Sequence, residues 1–291
     1  MTSIHICFSC DNSFAAHCGV AIASILTHAA DGDLFSFYIL DDGISVANRR
    51  KFERLKTIRP FEIRFIPIQS GDFKDCPIRQ GDHVSRATYY RFKIPGFFPE
   101  LNKILYLDCD LLATANLRAL FEEDLGDDAV GMVADIHSER EKERLGIEGV
   151  AAYGNGGVML LNLRKWRDDA LERQLFDYVA NNPDTVKFWD QDAVNIVLRG
   201  KIRELDSAWN LQFQEGGPTS MAMTCADIQS ARIIHYSGRI KPWSQQACHS
   251  IHRQYYTYLK LTPWHQWWKV CKVRGVVNLR ICRRWLRNHG V

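Results

Sequence analysis

The sequence predicts an α/β fold built on a doubly wound sheet flanked by helices. Two observations carry this. Strand-like and helix-like segments alternate over the first 68 residues in the order strand, helix, strand, helix, strand, the pattern of parallel strands joined by crossover helices. Further on, an apolar run, Ile104-Leu105-Tyr106-Leu107, ends on Asp108-Cys109-Asp110. A run of that length and composition is a buried strand, and it delivers two carboxylates to the carboxyl edge of the sheet, where open α/β sheets bind ligands.

The elements follow in order. Residues 3–10, SIHICFSC, read as the first strand, with Asp11-Asn12-Ser13 at its end and helical character from Ala15 to Ala30. LFSFYILDD, 34–42, is a second strand, Ile44 to Ile58 a second helix, and FEIRFIPI, 61–68, a third strand. No GxGxxG follows the first strand, so a dinucleotide of the usual Rossmann type is not implied. Residues 69–82 are polar and read as a loop, and 85–93 as a short helix carrying Arg86 and Arg91, ended by Pro95, Gly96 and Pro99. After the strand that ends on Asp108 comes another, 129–135, which finishes on Asp135. Residues 136–153 are charged and aperiodic, a loop of the kind that serves as a lid. GNGGVMLLNLRKW, 154–166, reads as a turn, a buried strand and a helix start, with Gly156 and Gly157 permitting close backbone approach. Residues 164–180 form one amphipathic helix, and 188–200 place Asp190, Gln191 and Asp192 in the first turn of another. A short apolar stretch at 202–205 and Trp209-Asn210 lead to ARIIHYSGRIKPW, 231–243, a strand followed by His235 and a Gly-containing turn with Lys241.

At 291 residues the chain can bury one large core, or one core and an appendage. Its 46% hydrophobic and 24% charged residues suit an ordinary soluble enzyme, and no run of about 18 uncharged apolar residues would span a membrane. The first residues lack a basic region and a cleavage site, so no signal peptide is expected. The nine cysteines are unevenly spaced, and the Cys7–Cys10 pair has no second pair at zinc spacing, so free thiols in a reducing cytoplasm are expected.

Charge divides the chain. After Asp227 there is no acid, while 12 of the 37 Lys and Arg residues lie there, leaving 25 against the 34 acids of residues 1–227. Residues 264–291 interleave Trp264, Trp267, Trp268, Cys271, Val276, Leu279, Cys282 and Leu286 with Lys and Arg at helical spacing. A basic amphipathic helix with Trp on one face suits an anionic membrane interface. No nucleic-acid reading element accompanies it, so nucleic acid is not expected as a partner. The expected organisation is a catalytic domain, 1–247, and a basic, Trp-rich helical membrane-association tail, 248–291.

Two acids at i and i+2 at a strand's exit are costly to bury together unless a cation neutralises them. A divalent metal is therefore expected at Asp108 and Asp110. Hard oxygen ligands favour Mg2+ or Mn2+, ions that commonly carry a diphosphate.

Several motifs stand in order along the chain: FSCDNSFAAHCGVAIASI, YILDDGIS, TYYRFKIP, KILYLDCDLL, DLG at 124–126, YGNGGVMLLNLRKW, WDQDAVN, WN and IIHYSGRIKPW. Across Ile4 to Trp243 the chain resembles glycosyltransferase family 8, and within it the bacterial lipopolysaccharide galactosyl- and glucosyltransferases. The resemblance implies a GT-A fold with a Rossmann-like mixed sheet, Mn2+ with Mg2+ as the alternative, a UDP-galactose or UDP-glucose donor, a lipopolysaccharide core acceptor, and retention of anomeric configuration. It implies further that Asp108 and Asp110 hold the metal with His235 as third protein ligand. Ser9 and Asp11 fall in the nucleotide segment. Ser13 stands where relatives place Asn, and Phe14 where they place a base-stacking Tyr, so a phenol hydroxyl is lost. Gly238 and Lys241 match the diphosphate cradle. Arg91, Asp135, Asn155, Gly156, Asp190 and Gln191 match the donor-sugar pocket, with Gln191 on the reactive face. Cys109 sits within the donor segment and is expected to point into the core.

Gln191 is an amide and a poor nucleophile, which favours front-face attack over a covalent intermediate. Asp135 and Asp190 would then orient the sugar. The expected location is cytoplasmic, peripheral on the inner face of the cytoplasmic membrane. Two alternatives are a haloacid dehalogenase-like phosphohydrolase and a non-catalytic sugar-nucleotide-binding module. The first needs Thr or Val where Leu112 stands. The intact Asp108, Asp110, His235 and Lys241 argue against the second.

Overall fold

The protein's structure, a computed structural model, describes residues 2–78, 86–217 and 223–265. β1 (Thr2–Asp11), α1 (Ala15–Thr27), β2 (Asp33–Asp42), α2 (Val46–Arg54) and β3 (Glu62–Pro67) follow the expected alternation. All three strands pair in parallel. A 3-10 segment, Arg86–Lys93, and α3 (Ile94–Phe97) lead to β4 (Lys103–Leu107), which lies parallel to β1. The chain continues through β5 (Leu111–Ala113), α4 (Arg118–Glu122), β6 (Val130–Ala134), α5 (Ser138–Leu145) and β7 (Gly154–Asn162). It then forms α6 (Leu163–Asp168), α7 (Leu171–Asn181), α8 (Trp189–Val197), β8 (Ile202–Glu204), β9 (Leu211–Gln212) and β10 (Ile233–His235).

Among the described residues seven strands make the main sheet, in the order β3-β2-β1-β4-β7-β6-β8, while β5, β10 and β9 make a small second sheet. β7 runs antiparallel to both β4 and β6, so the sheet is mixed. Side chains alternate across it, as the two-residue period of a strand requires. Ile4, Ile6, Phe8 and Cys10 of β1, with Leu105 and Leu107 of β4, belong to the core that holds α1. Cys7 of β1, with Ile104 and Tyr106 of β4, belongs to the core under α6, α7 and α8. Cys7 and Cys10 thus lie on opposite faces and cannot share one ion. The seven cysteines of the described residues are free thiols.

Three local departures from the sequence expectations have physical causes. Residues 138–145, expected to be loop, form α5. It has no apolar stripe because ion pairs anchor it: Arg144 Nη2 lies 2.6 Å from Asp192 Oδ1, Glu141 pairs with Arg140 and Arg144, and Gly146 caps the end at φ 65°. The single helix expected over 164–180 is two, broken where Ala170 adopts φ 51°. Gly154 to Gly157, expected as a turn, are the first residues of β7. A side chain at 154 would meet Met132 Cβ at 2.9 Å, and one at 157 would meet the His235 ring at 2.2 Å.

The chain beyond 247 begins against the domain. Helix Arg253–Leu259 lies on α1, where Tyr255 Oη is 2.7 Å from His17 Nδ1 and Tyr258 Oη is 2.8 Å from His28 Nε2. Trp264 packs edge-on to Phe52 and donates to Asn48. The rest of the amphipathic tail, from residue 266, lies outside the described residues.

Burial drives the pKa values of His17 and His252 down to about 4, partly opposed by nearby acids: Asp110 and Asp11 at His17, Glu215 at His252. Both rings therefore stay neutral in the fold but charge near pH 6.5 once unfolded. Their contribution to stability is complete above about pH 6.5 and is lost as pH falls toward 4. Urea midpoints measured from pH 7 to 4 should fall, and His17→Phe, which keeps a ring against Trp243, on which His17 stacks at 3.5 Å, should flatten that fall by about 3 kcal/mol.

Candidate active site

The two acids are brought to the sheet edge by backbone pairing on both sides. Asp108 N donates to Gly157 O at 2.9 Å, continuing the β4–β7 ladder, and Tyr236 N donates to Asp110 O at 2.9 Å, continuing β5–β10. The segment 108–110 thus stitches the large sheet to the small one. Strand alternation then sorts the side chains. Asp108 falls on the face of Tyr106, whose hydroxyl donates to Asp108 Oδ1 at 3.0 Å. Cys109 falls on the other face. Its sulfur donates to Ser9 O at 3.2 Å and clusters with Cys10 and Cys18, as expected for a residue turned toward the core.

β10 brings His235 to the same place. Its Nε2 is 3.3 Å from Asp110 Oδ1 and 3.9 Å from Asp108 Oδ2. One ligand atom from each of Asp108, Asp110 and His235 lies within 4.8 Å of the others. Lys241 Nζ lies 2.6 Å from Asp110 Oδ2, and also donates to Tyr236 O. Burial opposes the charge on Asp110, but the Lys241 ammonium outweighs it and holds the carboxyl well below the usual range. Its Oδ1 is buried without a hydrogen-bond partner among the described residues.

Across the floor sits Arg91, buried in the 3-10 segment. Its Nη2 is 3.0 Å from Asp108 Oδ1 and its Nε 3.0 Å from Asp190 Oδ2, Nη1 donates to Gly156 O, and the guanidinium lies over the Tyr106 ring at 4.2 Å. A side chain at Gly156 would come within 2.9 Å of that guanidinium. Thr88 Oγ1 also donates to Asp190. Burial nevertheless pushes the Asp190 carboxyl up to about 6, against the pull of Arg91.

Asp135 and Gln191 form the adjoining wall. Asp135 Oδ2 accepts from Asn155 Nδ2 at 2.9 Å and from Gln191 Nε2 at 3.1 Å, while Gln191 Oε1 accepts from Gly156 N at 2.9 Å. Asp11, at the end of β1, accepts from Ser13 Oγ at 2.7 Å and from Phe14 N at 2.8 Å. The Phe14 ring is 39% exposed and stands edge-on to Trp243. A Cβ on Gly238 would lie 2.9 Å from Gln214 Cα.

These groups face one cleft of about 700 Å3. Ser9, Asp11, Phe14, Arg91, Asp108, Cys109, Asp110, Asp135, Asn155, Gly156, Asp190, Gln191, His235, Gly238 and Lys241 line it, so the structure assembles the residues singled out in the sequence, with Ser13 beside them on Asp11. Tyr106, Thr88 and Asn210 were not singled out. Tyr106 was legible, being two residues before Asp108 on a strand; Thr88 and Asn210 fall within the motifs TYYRFKIP and WN, but their partners are set by tertiary contacts. A second depression of about 520 Å3, lined by Pro95, Trp166 and Phe176, includes Glu172 and Asp177 but no His or Cys.

Known proteins resemble this chain along most of its length. It is 28% identical to the lipopolysaccharide glucosyltransferase WaaO of Escherichia coli, covering 84% of this chain and 74% of that one. It is 25% identical to a lipopolysaccharide 1,3-galactosyltransferase of Salmonella typhimurium, covering 89% and 79%. It is also 24% identical to the general stress protein A of Bacillus subtilis, covering 90% and 95%. Among solved structures, the galactosyltransferase LgtC bound to donor and acceptor sugar analogues superposes with a TM-score of 0.78 at 28% identity, covering 94% of this chain and all of that one. The shared architecture is the GT-A fold. The model of glycosyl transferase family 8 matches residues 5–247, and the chain belongs to that family.

Proposed function

We propose that this glycosyltransferase moves galactose or glucose from a UDP-sugar to the core of a lipopolysaccharide or lipooligosaccharide, with retention at the anomeric carbon. The observation that carries the reading is the convergence of Asp108, Asp110 and His235 beneath Lys241, facing a wall of locked sugar-sized polar groups. Relatives named as lipopolysaccharide glucosyl- and galactosyltransferases support the acceptor class.

The residues fit a hard divalent ion. Two carboxylates and an imidazole are its ordinary donors, and the unpartnered, buried Asp110 Oδ1 has a lone pair to offer. Asp108, Asp110 and His235 would hold Mn2+, or Mg2+, which when bound supplies Lewis-acid neutralisation of the leaving diphosphate.

The chain's own groups account for the rest. Asp11 and Phe14, with Ser9 and Ser13, would hold the nucleoside. Phe14 offers a ring face but no hydroxyl. Lys241, held on a turn with Gly238, adds a cation at the diphosphate. Asp135, Asn155, Gly156 and Asp190 would orient the sugar hydroxyls, with Arg91 fixing Asp190 and Asp108 behind them. Gln191 is turned away from nucleophilic duty, because its oxygen faces Gly156 N and its nitrogen Asp135. Asp190, a further acid of the cleft, is held by Arg91 and Thr88. That arrangement favours front-face substitution. The acceptor hydroxyl oxygen bonds the anomeric carbon as the bond to the phosphate oxygen breaks, and the acceptor's proton passes to that phosphate oxygen.

UDP release measured with UDP-galactose and UDP-glucose, on truncated-core lipopolysaccharide, tests the donor and the acceptor together. NMR coupling at the new anomeric centre should report an α-glycoside; a β-glycoside would rule out retention. Asp110→Ala should keep its circular dichroism spectrum and lose about 10³-fold in Mn2+-dependent turnover; wild-type turnover in the folded variant would remove the metal assignment. We also propose that the basic tail binds an anionic membrane surface on the cytoplasmic side. Because Trp264 is packed on the domain, the informative truncation falls after His265. Loss of 266–291 should abolish sedimentation with anionic vesicles and spare UDP-sugar hydrolysis, and unchanged sedimentation would exclude the tail as anchor.

A further inference from the structure

Behind the cleft, two asparagine side chains connect His235 to the sugar wall, and the polarity of that line is fixed at one end. Gly157 N lies 3.0 Å from Asn155 Oδ1, and a backbone N–H can only donate, so that atom is the amide oxygen. The other end of the same amide lies 2.9 Å from the Asp135 carboxylate, which accepts. The Asn155 amide therefore has one orientation. Its oxygen also lies 2.9 Å from Asn210 Nδ2, so the neighbour on that side must be a donor, the NH2 of Asn210. Asn210 Oδ1 is then left facing His235 Nδ1 at 3.1 Å, where it can only accept. The single proton of a neutral His235 ring must sit on Nδ1. Nε2, the nitrogen 3.3 Å from Asp110 Oδ1 and 3.9 Å from Asp108 Oδ2, carries the lone pair.

We propose that Asn210 is a positioning residue: it fixes the Nδ1–H tautomer of His235 so that a bare Nε2 faces Asp108 and Asp110. Both residues are almost fully buried, Asn210 at 2% and His235 at 3% exposure, so no water competes freely for the imidazole N–H. Gly157 completes the device, since any larger residue would occupy the ring's place. The same Asn210 amide reaches Asp135 and Gln191 through Asn155, whose Nδ2 is 3.3 Å from Gln191 Oε1. One side chain therefore orients the imidazole and braces the sugar wall. The inference rests on the proposed function only for its consequence in metal affinity; the tautomer stands on the hydrogen bonds alone.

The test begins on metal-free, full-length protein with 15N-labelled histidine. The His235 signals, assigned by their loss in His235→Ala, should show a protonated Nδ1 and a pyridine-type Nε2; the reverse pattern overturns the proposal. Mn2+ affinity is then measured by calorimetry without nucleotide. Asn210→Leu, which removes the acceptor, should weaken Mn2+ about 10- to 100-fold. Wild-type affinity in that variant overturns the proposal when His235→Ala has lost binding. If His235→Ala also binds normally, the metal assignment is what fails, and the tautomer spectrum alone decides Asn210. Asn210→Asp covers the case in which Asn210→Leu does not fold. Its carboxylate still accepts from Nδ1–H but opposes the Asn155 oxygen. It should keep Mn2+ affinity within about threefold while the donor KM rises roughly tenfold; equal loss of both would reduce Asn210 to a structural role and overturn the proposal.

Discussion

Two carboxylates set two residues apart at the end of a buried strand repel each other, and the cleft is arranged around that repulsion. The chain cannot move them apart, because Asp108 is tied by its backbone to β7 and Asp110 to β10. It can only surround them with positive charge and donors. Arg91 and Tyr106 take one oxygen of Asp108, Lys241 takes one oxygen of Asp110, and His235 stands between. Backbone pairing thus fixes where the negative charge must be, and four side chains from three stretches of sequence converge on it.

Much of this was legible in the sequence. Strand alternation alone places Asp108 on the Tyr106 face and Cys109 in the core with Cys10 and Cys18, as found. The first half of the sheet follows from periodicity, because each strand there is returned by a helix. Strand direction in the second half does not. β7 is buried along almost its whole length, as a parallel strand would be, yet it runs antiparallel, and burial carries no sign of direction. α5 was illegible for a different reason. Its anchor is Arg144 on Asp192, and a contact between residues 48 apart leaves no periodic trace. Asn210 shares that difficulty: its neighbours in the sequence say nothing of His235 or Asn155.

The glycines of β7 connect fold to site. In a strand interior glycine loses entropy and packs nothing, so its presence asks for a close neighbour. At 154 the neighbour is Met132, at 156 the Arg91 guanidinium, and at 157 the His235 ring. The latter two are groups of the cleft, so the backbone of β7 is itself the wall against which the cation and the imidazole rest. A sequence signature that looks like a turn is, in the fold, a smooth surface.

The two cations that face the acids differ in what they are free to do. Arg91 is 4% exposed and its donors are committed to Asp108, Asp190, Thr88 O and Gly156 O, in the fixed fork that a guanidinium imposes. Moving it would strand the buried Asp190 carboxylate and leave the half-buried Asp108 without its guanidinium. Lys241 sits on a turn after β10, and its ammonium is a point charge on a flexible stem, partnered by Asp110 and one carbonyl. Only the lysine can change partner at low cost, and an anion entering the cleft next to Asp110 is the partner it would take. The division of labour follows from the chemistry of the two side chains: the arginine holds the acids in place, and the lysine is the charge the site can lend.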